Sequence, residues 1–148
     1  MRFLVYLVVI LGLAFGGWTY FNLYRLTEAL VNNDDAALAR YVDLDSIRAQ
    51  HVSAVTHALG MGQPNSENLI QRSVQAVTNQ AANTLIDLQW IKSEIGRPTG
   101  GKPGWPSFAF YESPFRVLLR YGELGHEPVH AYFSLQNWRS WRLTQVYE

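Results

Sequence analysis

The hydrophobic period of the chain changes twice. From Phe3 to Tyr24, twenty-two successive residues carry no charge. As a helix rising about 1.5 Å per residue this run reaches about 33 Å, enough for a hydrocarbon core of about 30 Å. Toward its end the run becomes one-sided, with Tyr20, Leu23, Leu26 and Leu30 at helical spacing and no proline between Trp18 and Val31. The apolar helix is therefore expected to continue into the domain that follows. Beyond residue 106 the period becomes two, the signature of strands.

Between these changes the spacing predicts a helical half over residues 25–95. Asn32-Asn33-Asp34 is a stop signal, because Asn tolerates the left-handed conformation and Asp can cap the next helix. A short helix over Asp35 to Val42 then turns Leu38, Tyr41 and Val42 inward. Asp43 or Asp45 can cap a third, with Leu44, Ile47, His51, Val52, Val55 and Leu59 on one face and Gly60 at its end. Met61 to Pro64 reads as a turn and Asn65-Ser66-Glu67 as a cap. Leu69, Ile70, Val74, Val77 and Ala81 form the next stripe. Asn83-Thr84 is a candidate restart, after which Leu85, Leu88, Ile91 and Ile95 keep the spacing with Ile86 and Trp90 beside them.

Residues 96–106, GRPTGGKPGWP, hold four glycines and three prolines and end the helical half. In the β half, 107–148, Phe108 and Phe110 alternate and Ser113-Pro114 makes a corner. Phe115, Val117, Leu119 and Tyr121 form one face of the next strand, Val129, Ala131, Phe133 and Leu135 of another, and Trp141, Leu143, Gln145 and Tyr147 of the last. The short connections suit hairpins. Helices first and strands second gives an α+β class: an N-terminal transmembrane helix (1–24) leading into a single domain (25–148), with an antiparallel sheet of three to four strands covered on one face by helices.

Composition narrows the chemistry. The zero net charge hides a split, −3 over residues 22–95 and +2 over residues 96–148, with no block of like charge, so no nucleic-acid footprint is present. Without cysteine there is no thiolate catalysis, disulfide or Cys-ligated zinc. A domain of this size stands without staples, so the missing cysteines do not select a compartment.

Ala14-Phe15-Gly16 has the side-chain sizes of a signal-peptide cleavage site, but Trp18, Tyr20, Phe21 and Tyr24 follow it where a polar segment is expected. These rings suit a headgroup interface, so the reading is an uncleaved signal anchor. Arg2 and the α-amino group favour a cytoplasmic N-terminus, while Arg25 and Arg40 lie in the counting window on the other side. With two residues ahead of the apolar run, export of the C-terminal domain is the simplest product. Gly12 and Gly16 form a GxxxG pair that offers weak self-association between anchors.

Two motifs resemble catalytic ones. His126-Glu127-Pro128-Val129-His130 matches HExxH, which holds zinc only on a helix. Here Pro128 and an alternating strand place the two histidines about 13 Å apart. Gly96 to Lys102 matches GxxxxGK, but a phosphate loop needs a following helix and a Ser or Thr for magnesium, and Pro103 stands there. No cofactor and no metal is expected from either. His51 reads as a boundary histidine on an apolar face, and His57, six residues on, does not share that face.

The strand alternation places Arg116, Arg120, His130, Tyr132, Ser134, Arg142 and Thr144 on the sheet face away from the helices. Arg116, Arg120, His130, Tyr132 and Arg142, with Trp138 at a turn, are the candidate binding residues; the competing reading is a solvated face of cross-strand pairs. Trp141 is expected in the core. Finally, the apolar start with its Tyr-rich end, Leu26, Ala29-Leu30, Asp34, Leu38, Val42-Asp43 and Arg48, and later Ser113-Pro114-Phe115 and Trp141-Arg142-Leu143, resembles the bacterial domain-of-unknown-function family 2939. Asn33 stands where that pattern suggests glycine. The resemblance implies a bacterial membrane-associated protein without established activity. The expectation is a single-pass protein of the inner membrane with a periplasmic, non-catalytic domain that binds an envelope partner or supports an assembly. The alternative is a small-ligand pocket between sheet and helices, with weak hydrolytic chemistry.

Overall fold

The computed structural model describes residues 1–58, 69–123 and 125–147, with backbone alone for 69–75. The expected turn at Met61 to Pro64, the cap at Asn65 to Glu67, and Leu59 and Gly60 lie outside the described residues. α1 (Arg2–Val31) is one unbroken helix of 30 residues, about 45 Å long at about 1.5 Å per residue. Residues 1–14 are exposed on every side, whereas Thr19, Leu23, Leu26, Thr27, Ala29 and Leu30 are buried. The spacing of three and four turns those residues to one face, which packs on the domain. Phe15 and Trp18 open that contact, their rings 6.1 and 6.5 Å from the ring of Trp141. The hydroxyls of Thr19 and Thr27 are satisfied by donating to the carbonyls of Phe15 and Leu23.

α1 stops where the sequence says it should. Asn33 takes a left-handed φ of 57°, its N–H donates to the Leu30 carbonyl, and Asp34 N–H reaches back to Ala29. Asp34 then caps α2 (Asp35–Tyr41), accepting from Ala37 N–H at 3.0 Å. Asp43 caps α3 (Leu44–Ala58), accepting from the Ser46 N–H at 3.1 Å and hydroxyl at 2.8 Å. Asp45 instead meets Arg48 at 3.6 Å on the surface. Ile47 is buried, but Val55 is exposed. Eight residues at about 100° each leave a helix about 80° off line, so the expected stripe drifts out of the core.

α4 (Leu69–Leu85) also departs from its expected phase. Val77, Ala81 and Leu85 are exposed, while Ala82 and Ile86 are buried. The helix restarts at Asp87 rather than at Asn83-Thr84: the Asp87 carboxylate accepts from Trp90 N–H at 2.8 Å and caps α5 (Leu88–Gly96). That break lets Ile86 point inward together with Ile91 and Ile95. Lys92 is buried beside them, and its ammonium reaches Asp35 Oδ1 at 2.7 Å and Asn33 Oδ1. Asn33 thus supplies an acceptor that a glycine would lack.

A 3₁₀ turn over Arg97–Thr99 leads through Gly100 and Gly101 to the sheet. Gly122, at φ 85°, lies so close to Pro98 that an added Cβ would come within 2.4 Å of it, which fixes this loop against the sheet end. Strands β1 (Phe108–Ser113), β2 (Arg116–Tyr121), β3 (Val129–Gln136) and β4 (Ser140–Tyr147) form an antiparallel meander in sequence order. The inner face, with Val117, Leu119, Tyr121, Val129, Ala131, Phe133, Trp141 and Leu143, is buried. At Thr144 a bulge places Gln145 opposite Tyr132 while Leu143 stays opposite Phe133. The extra residue reverses the alternation, so Val146 is buried where Gln145 and Tyr147 were expected. The free edge of β4 is covered by the link between α2 and α3, where Asp43 N–H donates to the Leu143 carbonyl at 2.9 Å. β1 forms the opposite edge and is exposed along its whole length.

Candidate functional site: the outer sheet face and the cleft under α3

Cross-strand register brings five of the six candidate residues to one face. Arg120 lies opposite His130, Leu118 opposite Tyr132, Arg116 opposite Ser134, and Ser134 opposite Arg142. The group is extensively cross-linked. The Arg116 guanidinium sits 5.0 Å from the centre of the Tyr132 ring and 3.5 Å from Glu112. Tyr132 donates to the same carboxylate at 3.2 Å. Arg120 lies 5.1 Å from the Phe108 ring, and His130 stacks on Tyr147 at 5.6 Å. Burial, the hydrogen bond with Tyr132 and the charge of Glu112 together push the Tyr147 phenol up to about 12. Trp138 stands apart at the hairpin between β3 and β4, 75% exposed and edge-on to Phe115 at 4.7 Å.

Phe108 and Phe110 belong to this face as well, stacked on each other and well exposed. The strand alternation alone does not place them, because the phase of β1 is set by its partner: Phe108 pairs with Arg120 and Phe110 with Leu118. A search for aromatics opposite the outward arginines would have found Phe108.

α3 overhangs one side of this face. Between them lies a cleft of about 690 Å³, lined among the described residues by Ser46, Gln50, Ser53 and His57 of α3 and by Arg116, Ser134, Gln136 and Thr144 of the sheet. The lining is rich in amides and hydroxyls. Ser134 and Thr144 share a hydrogen bond of 3.1 Å at its floor. Gln50 Oε1, and Arg142 Nε beside Ser134, are buried polar atoms without a hydrogen-bond partner among the described residues. At one end, burial would raise the Asp43 carboxyl, but hydrogen bonds from Gln136 and Ser46 and the charge of Arg142 outweigh it and hold the group below the usual carboxylate range. No carboxylate lines the cleft among the described residues.

The catalytic look-alikes are not assembled. His126 lies in the turn before β3 and His130 on the strand, with Glu127 between them at φ 48°. The residues after Lys102 are irregular, not helical. His51 Nδ1 donates to the Ile47 carbonyl at 3.1 Å, and the ring packs edge-on to Trp90 at 4.9 Å, away from the cleft.

Fold and site together define an α+β domain carried on a long apolar helix, with a polar, cross-linked sheet face. A family model described as a protein of unknown function (DUF2939) matches residues 8–91, more than half of the chain, and the protein belongs to that family. The match covers most of α1 and the helices up to α5, while the sheet and its outer face lie beyond it. Comparison with curated proteins gives no match. Comparison with solved structures gives none either.

Proposed function

We propose that this protein is a single-pass, membrane-anchored module of the bacterial envelope that presents its outer sheet face to a protein partner and carries out no catalysis. The observation that supports it is the division of α1: residues 3–14 are apolar and exposed on every side, and one face of the rest of the same helix is built into the domain core. Among the described residues this is one helix long and apolar enough to cross a membrane. Exposed apolar surface of this extent is not stable in water. The Phe108 and Phe110 rings beside Arg116 and Arg120 supply the aromatic and arginine mix that interface cores favour. Export of the domain is tested by reporter fusion at the C-terminus. An exported-only reporter such as alkaline phosphatase should be active and a cytoplasm-only fluorescent one dark; the reverse pattern contradicts export. Gly12 and Gly16, both facing open space, would let two anchors approach each other.

A second reading is favoured by the cleft under α3. Its amide and hydroxyl lining, with Arg116 and His57 at the rim and Gln50 Oε1 unpartnered among the described residues, suits a small hydroxylated or anionic ligand. On the inner sheet face the helices pack closed, since Leu119, Phe133, Ile91 and Leu26 are all 0% exposed, and among the described residues the concavity between sheet and helices is the one under α3. The ligand reading therefore moves to the opposite face of the sheet.

A further inference from the structure

The exposed half of α1 and two of the three hairpin turns of the sheet, β1–β2 and β3–β4, share one end of the molecule. Phe15 and Trp18 meet Trp141, Trp141 pairs with Leu135, and Leu135 N–H donates to the Phe115 carbonyl at 2.8 Å. Phe115 in turn supports Trp138 at the tip of the β3–β4 hairpin. Further along α1, Tyr24 meets Trp105, just ahead of Ser107, whose N–H donates to Arg120 at the other end of the sheet. The exposed half of α1 therefore leaves the domain past the hairpin end.

The length of that half is the second observation. Arg2 to Ala14 is thirteen residues, about 20 Å of helix against a hydrocarbon core of about 30 Å. The difference, about 10 Å, is the length of the next turns of α1, over Phe15 to Phe21. Those turns carry the domain with them. An anchor that uses those turns to cross brings the hairpin end to the headgroup layer.

The third observation is Trp138 itself. Asn137 and Trp138 hold φ of 50° and 59°, and Arg139 N–H closes the turn on the Gln136 carbonyl at 3.0 Å. Such a turn favours glycine at its second position, and a bulky residue there is strained. The fold does not need this ring, which is 75% exposed. Tryptophan is, however, a residue type that headgroup interfaces favour.

We infer that the Asn137–Arg139 tip, backed by Phe115, is a second membrane contact, with Trp138 seated in the headgroup layer of the leaflet from which α1 emerges and Arg139 beside the lipid phosphates. This rests on the reading of α1 as an anchor, and the test separates the two. The chain has no cysteine, so single substitutions Leu11→Cys, Arg139→Cys and Glu123→Cys each accept one fluorophore. The full-length variants are reconstituted in vesicles of phosphatidylcholine and phosphatidylglycerol, with nitroxide on either the acyl chain or the headgroup. Acyl-chain nitroxide should quench the label at 11. Headgroup nitroxide should quench the label at 139 at least about twofold more than the label at 123, which lies at the other end of the sheet. Adding Trp138→Gly should abolish the difference between 139 and 123 without lowering the thermal midpoint, because glycine suits the turn. Equal quenching at 139 and 123 beside a quenched label at 11 overturns the tip contact and leaves the anchor standing. An unquenched label at 11 overturns both. Quenching at 139 that survives Trp138→Gly removes Trp138 as the contact.

Discussion

At the scale of single residues, two polar side chains hold more of this fold than any one apolar contact suggests. Asp43 caps α3, receives Gln136 from the sheet and lies near Arg142. Replacing it with Ala should cost about 1 to 2 kcal/mol in urea titrations of the detergent-solubilised protein. Its folded pKa is depressed, so the ionised carboxylate contributes stability above the unfolded value near 3.9, and the contribution is lost as pH falls through the lower folded value. The difference between wild type and Asp43→Asn should therefore be full at neutral pH and shrink below about pH 4. A difference that stays constant across that window would show that the charge is irrelevant.

Asn33 makes a sharper contrast. It holds a left-handed φ and accepts from the buried Lys92 ammonium. Asn33→Gly keeps the conformation and loses the acceptor; Asn33→Ala loses both. Alanine should be the more damaging by about 1 kcal/mol, the cost of the left-handed backbone with a Cβ. Equal melting midpoints for the two variants would contradict this assignment of roles.

Among the elements, β4 offers the clearest test of how the sheet is phased. Thr144 is the extra residue of the bulge. Deleting it leaves Trp141, Leu143 and Val146 inward in strict alternation, at the loss of the Ser134–Thr144 hydroxyl pair, about 1 kcal/mol. Deleting Arg142 instead shifts every later residue to the opposite face and should abolish the cooperative melt. The two deletions remove one residue each, so their divergence in the near-ultraviolet signal isolates the bulge.

The same strand shows where sequence reading stops. The division into helical and β halves and a sheet of three to four strands were legible because period 3.6 and period 2 are local properties. So was the Asn32-Asn33-Asp34 corner, because its chemistry is complete within three residues. The bulge at Thr144 was not, since it depends on which residue of β3 lies opposite. The inward phase of α4 was missed because Ala82 and Ile86, one residue on from Ala81 and Leu85, are the buried ones, and the rotation of a helix about its axis is set by what it packs against, not by its own spacing. Alternation brought Arg116, Arg120, His130, Tyr132 and Arg142 to one face correctly. The cleft beside them was invisible, because α3 reaches over that face by a long-range packing choice.

For the whole molecule, the central claim is that α1 serves two environments, lipid for its first half and the domain core for its second. The Phe15, Trp18 and Trp141 cluster marks the crossing between them. On that proposal the continuity of α1 into the domain core holds the domain against the bilayer rather than on a tether. Alkaline carbonate extraction of membranes expressing the full chain, beside a chain that begins at Phe15, tests this directly. The full chain should remain in the membrane pellet, and the shortened chain, which keeps every buried residue of α1, should be released to the supernatant and still melt cooperatively. Release of the full chain, or retention of the shortened one, would contradict the account.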